Sequence, residues 1–236
     1  MNLLLLSSSR AGNTGYLEHA LPMIQQHLNQ SDVNNKILFI PYAGISVGFD
    51  EYEQLVSKAF ALSGLELSSI HQHDDAKTAV REANAIVVGG GNTFCLLNSL
   101  YENDLISLIG EKVREGTPYI GWSAGSNIAA PTICTTNDMP IVEPPSFKAL
   151  SLVTYQINPH YLDGNPPGHN GETRQQRISE YLTVNPNQKV IGLPEGTALA
   201  VSSNESILVG DKEGFIFSHD EGKQQIAINS NINDFL

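Results

Sequence analysis

Cysteine is scarce in this sequence: Cys95 and Cys134 are the two cysteines among 236 residues. Two thiols are too few for a disulfide framework or a cysteine-rich zinc site. Histidines do not replace them as metal ligands, because the pair in HQHDD has no third ligand at a recognisable spacing. We therefore expect two free thiols and no bound metal.

Basic residues and long apolar runs are also lacking. The chain has 13 Lys and Arg residues against 25 Asp and Glu residues, which gives a formal net charge of −12. A nucleic-acid surface needs clustered basic side chains, so we expect no nucleic-acid partner. No apolar run is long enough to span a bilayer, and the start MNLLLLSSSR lacks the basic segment of a signal peptide. We therefore expect a cytoplasmic protein with no membrane partner.

Short apolar runs alternate with segments of helical spacing. The runs are NLLLL, KILFIPYA, AIVVGGG and PYIGWS, and a helical pattern follows each of them. This alternation indicates an α/β fold, with a mainly parallel sheet covered by helices on both faces. Near the end of the chain, TALAVS, SILVG and GFIFS predict hairpin strands at the edge of that sheet. We predict a single α/β domain over residues 1–236.

The segment YIGWSAGSNIAAP places Ser123 where an apolar strand must turn into a helix. GWSAG matches G-x-S-x-G, a turn in which the serine sits on a strained bend and the glycines let neighbouring backbone approach closely. On such a bend the hydroxyl is exposed at the end of the sheet, and the Ala124 N–H points to the same space. The alternative is an ordinary helix N-cap serine.

A serine nucleophile needs a base, and His160 is the preferred candidate. It follows a strand-like run in YQINPHYLD, where a proline ends the strand. His169, in the loop NPPGHNGE, is the rival base. The other histidines are expected on solvated helix faces or in polar turns: His19, His27, His71, His73 and His219.

An orienting carboxylate completes a serine triad, and three residues compete for this role. Glu195 lies where the apolar run VIGL breaks at PEG, and a carboxylate at a buried strand end is costly unless it is paired. The alternative is a turn glutamate that faces water. Asp138, in TTNDMP, and Asp163, just after the preferred histidine, are the competitors. Chain order does not decide between them, because triads are defined by geometry.

The glycine run VVGGGNTF lacks the sequence of a P-loop and the spacing of a dinucleotide-binding loop. Consecutive glycines at a strand end can instead aim the N–H of Gly90 or Gly91 at the oxygen of a tetrahedral intermediate. With the Ala124 N–H this would form an oxyanion hole. A plain strand–helix turn is the alternative.

Two arginines in GETRQQR, Arg174 and Arg177, lie three residues apart on a predicted helix. Such side chains usually face solvent. A guanidinium also binds carboxylate in a bidentate manner, and an acidic substrate of so acidic a protein would need a local basic clamp.

Six segments carry a family resemblance: GGGNTF, GWSAGSN, PTICTTNDMPIVEPPSF, QINPHYLD, GHNGETRQQRI and VIGLPEG. Together they resemble the peptidase E family of α-aspartyl dipeptidases over about residues 86–196. The resemblance implies a cytoplasmic, cofactor-free serine peptidase that hydrolyses dipeptides with N-terminal aspartate. It also implies a flavodoxin-like fold akin to class I glutamine amidotransferases, with serine in place of their cysteine.

The resemblance also implies roles for individual residues. Ser123 is then the nucleophile, His160 the base, and Arg174 the group that binds the aspartate side chain. The family's acid has been placed at the positions of both Glu195 and Asp138. We favour Glu195, because a strand end can be held rigidly beside a histidine on another strand end.

The expected mechanism uses the backbone amides of Gly91 and Ala124 to hold the oxyanion. Two alternative functions stay open at this point, a cyanophycinase-like aspartyl peptidase and a non-catalytic binding module on the same fold. The sequence does not distinguish a monomer from a homodimer.

Overall fold

The apolar runs form strands and the amphipathic segments form helices in a computed structural model that describes residues 1–29, 36–168 and 170–236. The strands are β1 (Leu3–Leu6), β2 (Ile37–Ile40), β3 (Leu67–Ser69), β4 (Ala85–Val88), β5 (Tyr119–Trp122), β6 (Gln156–Pro159), β7 (Val190–Leu193), β8 (Thr197–Val201), β9 (Ser206–Gly210), β10 (Gly214–Ser218) and β11 (Gly222–Ile226). The α-helices are α1 (Leu21–Asn29), α2 (Phe49–Ala61), α3 (Ala76–Glu82), α4 (Thr93–Glu102), α5 (Ile106–Arg114), α6 (Ala124–Asn127) and α7 (Arg174–Val184). Within these ranges no helix combines the length and the apolar character that crossing a membrane requires.

Seven strands form the larger sheet, in the order β3-β2-β4-β5-β1-β8-β9. The first five run parallel to one another, and β8 and β9 add antiparallel neighbours. Every residue of β1, β2, β4 and β5 is buried, as expected when helices cover both faces. Alternate side chains enter opposite layers, since Leu3 and Leu5 belong to one apolar cluster and Leu4 and Leu6 to the other. The predicted α/β fold with a mainly parallel sheet is confirmed.

A second sheet of four strands, in the order β11-β10-β7-β6, departs from the sequence-based prediction. β8 and β9 form the expected hairpin at the edge of the larger sheet. GFIFS does not join that sheet, because β10 pairs with β7 and β11. The prediction was wrong there because a short apolar run with turn residues on both sides carries no signal for which strand it will pair with.

The carboxyl ends of several strands converge where the two sheets meet. β6 and β7 are parallel, with Pro159 paired to Leu193, so the residues that follow them emerge side by side. Buried Ser7, which follows β1, connects the sheets. Its Oγ donates to the Leu193 carbonyl at 2.7 Å and accepts from the His160 N–H at 2.9 Å. Because β1 pairs with β5, the end of β5 also faces this junction.

The first helix departs from the prediction at His27, which was expected to face solvent. His27 is only 6% exposed, because it follows buried Ile24 by three positions and shares its face of α1. His19, in the 3-10 turn before α1, is half-buried rather than solvated. Burial lowers the pKa of His27 to about 4, although a hydrogen bond with the Tyr119 backbone acts in the opposite direction.

We expect His27 to make folding stability depend on pH. The unfolded imidazole takes up a proton near pH 6.5, whereas the folded ring stays neutral until about pH 4. The stability that depends on a neutral His27 ring is therefore fully present above the unfolded pKa. The free energy of unfolding falls by about 2 kcal/mol between pH 7 and pH 5. Urea unfolding at the two pH values measures this loss. His27→Asn should remove most of it, while the same substitution at exposed His73 should not. A His27→Asn variant with the wild-type pH dependence would contradict this assignment.

Candidate active site

The bend between β5 and α6 holds Ser123 in a backbone conformation that L-residues rarely adopt, with φ 52° and ψ −112°. Glycines make the bend sterically feasible. A Cβ at Gly121 would lie 2.4 Å from the Gly125 carbonyl oxygen, and a Cβ at Gly125 would lie 2.2 Å from the Val88 carbonyl oxygen. The serine side chain makes no N-cap hydrogen bond, so the N-cap alternative is wrong. The hydroxyl is left for a partner outside the helix.

That partner is His160, whose Nε2 lies 2.9 Å from the Ser123 Oγ. On the other side of the ring, Nδ1 lies 2.9 Å from Glu195 Oε1. When Nδ1 carries the proton and donates it to the carboxylate, Nε2 is free to accept from the serine hydroxyl. The three side chains thus form a continuous hydrogen-bonded line, although they come from three separate segments of the chain.

The His160 backbone is itself held in an uncommon conformation, with φ 53°. Its N–H donates to Ser7, and the preceding carbonyl of Pro159 accepts from the Asn137 side chain at 2.8 Å. Both bonds hold the one peptide unit between Pro159 and His160, and the Tyr161 N–H, which donates to the Leu193 carbonyl at 2.9 Å, fixes the unit on the other side, so the ring is aimed at Ser123. Neither supporting residue, Ser7 or Asn137, is predicted from the sequence. The only signal for Ser7 is its position directly after the first buried strand.

Asp138 takes a different place from Glu195. It accepts hydrogen bonds from the Thr93 N–H at 2.7 Å and the Thr93 hydroxyl at 2.5 Å, and from the Thr136 hydroxyl at 3.2 Å. These bonds attach the loop after α6 to the start of α4. Asp138 lines the same cavity as Ser123 and His160, but among the described residues it makes no hydrogen bond to the imidazole.

The glycine loop after β4 lies directly against the serine. A Cβ at Gly90 would lie 3.0 Å from the Ser123 Cβ, and Gly91 has a φ of 139°, a conformation that favours glycine. Neither the Gly91 N–H nor the Ala124 N–H bonds to another backbone group in the described part of the chain. Both donors suggested by the sequence therefore remain open near the hydroxyl. Because α6 spans only four residues, these individual N–H groups rather than a helix dipole supply the positive potential.

Two cavities meet at His160. One, of about 660 Å³, contains Ser123 and the glycine loop. The other, of about 850 Å³, is lined by Glu195 and Arg174. Arg174 and His160 therefore line the same cavity, which is the neighbour of the one that contains Ser123.

Arg174 is half-buried at the first turn of α7 and has neither a hydrogen bond nor an ion pair with the residues that the structure describes. Burial lowers the pKa of its guanidinium, the charge of Arg177 lowers it further, and Asp138 acts in the opposite direction. Arg177 is exposed instead and lies 3.8 Å from Glu172. Arg174 is thus a partly desolvated cation available to an anion.

Other candidates from the sequence lie away from the serine or outside the described residues. Asp163 pairs with Lys223 at 2.6 Å rather than with the imidazole. His71 contacts Ser69 and Asp50, and no group of metal-ligating side chains large enough for a metal ion occurs in the described ranges. The rival base, His169, lies outside the described residues.

Comparison with known proteins gives the family. The model of peptidase family S51 matches residues 3–209. A peptidase E from Shewanella denitrificans is 54% identical over 239 aligned positions, which cover 100% of this chain and 99% of the relative. A peptidase E from Haemophilus influenzae is 51% identical over 216 positions, which cover 91% of this chain and 98% of the relative.

Solved structures agree with the sequence comparison. A protein from Listeria monocytogenes assigned to peptidase E superposes with a TM-score of 0.66 at 27% identity, over 89% of this chain and 98% of that chain. A peptidase from an acI-B1 actinobacterium superposes with a TM-score of 0.70 over 98% of this chain and 96% of that chain, and its 20% identity supports the fold alone. On this fold Ser123 lines up with an imidazole and a carboxylate. The family model and the relatives matched over nearly their full length show that the chain belongs to peptidase family S51.

Proposed function

We propose that this protein is a serine dipeptidase that hydrolyses dipeptides with N-terminal aspartate through an acyl-enzyme on Ser123. One observation carries the proposal: the unbroken line from Ser123 through His160 to Glu195, with both contacts at 2.9 Å. Relatives at about half identity that are named peptidase E support the same activity.

The first step is nucleophilic attack. Ser123 Oγ attacks the carbonyl carbon of the aspartyl residue, while His160 Nε2 takes the hydroxyl proton. Glu195 holds the ring in the tautomer that leaves Nε2 free and stabilises the imidazolium that forms. The N–H groups of Gly91 and Ala124 stabilise the negative oxygen of the tetrahedral intermediate.

The intermediate then breaks down in two stages. The imidazolium gives its proton to the departing amine, the C–N bond breaks, and the second residue leaves as a free amino acid. Water then attacks the aspartyl ester, with His160 as the base, and a second tetrahedral intermediate releases aspartate and restores the Ser123 hydroxyl. Each proton taken up by the imidazole is returned, so the enzyme ends as it began.

Selectivity for aspartate is assigned to Arg174. Its half-buried guanidinium forms no ion pair with a described residue, although the charge of Asp138 acts on its pKa, so a substrate carboxylate would supply a missing ion pair. An asparagine side chain carries no charge and would leave the cation unpaired, which is costly in a partly desolvated site. Reach from the serine would disfavour the longer glutamate.

The remaining properties are predictions from the family resemblance. We propose that the reaction needs no cofactor, that small peptides are the partners, and that the protein acts in the cytoplasm.

A dipeptide panel tests the proposed function. We expect rapid release of leucine from Asp-Leu, little from Asn-Leu or Glu-Leu, and none from an N-acetylated Asp-Leu. A branched aspartyl polymer belongs in the same panel, since its preferential cleavage would favour a cyanophycinase-like activity. No turnover of any member would argue for a binding module instead.

Replacing Arg174 by glutamine should change substrate preference. We expect kcat/KM for Asp-Leu to fall by about 100-fold, the scale on which removing one partner of a buried charge pair acts. Turnover of Asn-Leu should stay the same or rise, because no cation is then left unpaired, so the measurement is the ratio of kcat/KM for the two substrates. Arg177→Gln is the matched control, because that exposed neighbour should leave the ratio unchanged. An equal loss of kcat/KM on both substrates in Arg174→Gln would contradict the role of Arg174 as a carboxylate clamp.

A further inference from the structure

The peptide unit between Gly90 and Gly91 has two ends with different surroundings. The Gly91 N–H is one of the two proposed oxyanion donors, and the Gly90 carbonyl belongs to the same planar trans peptide. In such a unit the C=O and N–H bonds point in opposite directions. Whatever holds the Gly90 oxygen therefore sets the direction of the Gly91 N–H.

The group that holds it is the Tyr52 hydroxyl, which donates to the Gly90 oxygen at 2.9 Å. A chain of donors leads to this bond. The indole N–H of Trp122, the residue before the nucleophile, donates to the Tyr16 hydroxyl at 3.1 Å, and Tyr16 donates to Tyr52 at 3.2 Å. Burial raises the pKa of both tyrosines, so both hydroxyls keep their protons at neutral pH.

The packing around Tyr52 keeps its hydroxyl in place. Tyr52 lies on α2, is only 6% exposed, and meets Phe39 edge to face with ring centroids 5.1 Å apart. Two glycines accommodate it: a Cβ at Gly44 would lie 2.8 Å from the ring, and a Cβ at Gly89 would lie 2.5 Å from the hydroxyl oxygen. The rigid ring therefore packs tightly against the glycine loop that contains Gly90.

We propose that Tyr52 is a positioning residue for the oxyanion hole: its hydrogen bond to the Gly90 carbonyl turns the Gly91 N–H toward the carbonyl oxygen of the scissile bond. This inference rests on the proposed function, since it assumes that Ser123 forms a tetrahedral intermediate. Tyr52 itself does not touch the reacting atoms. Its effect belongs to the transition state, in which the oxygen carries charge, and not to substrate binding.

The test is Tyr52→Phe, which removes the hydroxyl and keeps the ring. We expect kcat for Asp-Leu to fall by about 10- to 100-fold with KM within about threefold, a loss smaller than or similar to that of deleting an oxyanion donor. Affinity for an aspartate-derived boronic acid, whose serine adduct places an oxygen in the oxyanion position, should fall by a similar factor. Tyr16→Phe should lower kcat in the same direction by a smaller factor, because the bond from Tyr52 to Gly90 remains.

The controls distinguish the positioning role of Tyr52 from a general structural effect and from failure of the proposed function. Tyr155→Phe removes another buried hydroxyl, which bonds only weakly to Ser206 at 3.4 Å, and should keep wild-type kcat. A folded Tyr52→Phe with wild-type kcat and boronate affinity would overturn the proposal, as would a loss confined to KM. If Tyr52→Phe does not fold, Tyr16→Phe decides, and an unchanged kcat and boronate affinity there would count against the proposal. A wild-type protein inactive on the whole dipeptide panel would refute the proposed function, a result distinct from any of these.

Discussion

Replacing Ser123 by alanine should lower kcat for Asp-Leu by roughly 10⁴- to 10⁶-fold, because no other group can form the acyl-enzyme. The fold should be retained. Serine and alanine meet the same backbone strain at φ 52°, and the side-chain hydrogen bond that is lost is the one to the His160 ring. The free energy of unfolding in urea should therefore stay within about 1 kcal/mol of the wild-type value, which is the scale of one hydrogen bond.

A second serine provides a matched control for this substitution. Ser151 also has positive φ, 49°, but it is exposed and lies on the loop after α6, outside both cavities at the imidazole. Ser151→Ala should keep wild-type turnover. Mass spectrometry of quenched reactions should detect an aspartyl adduct on wild type and none on Ser123→Ala. If Ser123→Ala retains more than about a tenth of wild-type kcat, Ser123 is not the nucleophile and the mechanism fails.

The bend at Ser123 could be predicted because its signal is local. G-x-S-x-G names residues whose size matters within one turn, and the close approaches at Gly121 and Gly125 are the physical reason for both glycines. The parallel sheet was predictable for a similar reason, since continuous apolar strands need helices on both faces. Neither inference requires knowing which distant segment lies next to which.

The choice between Glu195 and Asp138 depends on a non-local fact. Glu195 reaches the imidazole because β6 and β7 are adjacent and parallel, with Pro159 level with Leu193. The sequence does not reveal that these strands form a separate sheet, because both are short buried runs that would suit the larger one. Asp138 follows the serine in an irregular loop, whose course is set by hydrogen bonds to Thr93 that no periodic pattern predicts.

Residues that hold the catalytic groups in position are the hardest to predict from the sequence. Ser7 and Tyr52 act through hydrogen bonds to backbone groups far along the chain, Ser7 at Leu193 and His160 and Tyr52 at Gly90. Their types suit an ordinary loop and an ordinary buried helix face. His27 shows the opposite error: its place on α1 was given by the helical spacing, but polarity alone suggested exposure.

Glu195→Gln is the second change for which we expect a large effect, a decrease in kcat of roughly 10²- to 10⁴-fold. Glutamine keeps the shape but cannot stabilise an imidazolium by charge. Its NH₂ group can also donate to Nδ1, which would put the ring proton on Nε2 and block acceptance from Ser123. The Glu195 side chain is 53% exposed, so solvent screens part of its charge and places the expected loss nearer the lower bound. KM for Asp-Leu should change little.

Asp138→Asn is the matched comparison, because it removes the charge of the other candidate acid. All three donors bind the same Asp138 oxygen, a place that the asparagine amide oxygen can take, but the bonds then lose their charge, so we expect a free energy of unfolding in urea that is lower by about 1 kcal/mol. The loop that walls the serine cavity would loosen, which should raise KM more than it lowers kcat. The opposite pattern, a large kcat loss in Asp138→Asn and near wild-type turnover in Glu195→Gln, would move the acid to Asp138. It would also require the imidazole to leave a carboxylate 2.9 Å away for one that is bound to two threonines.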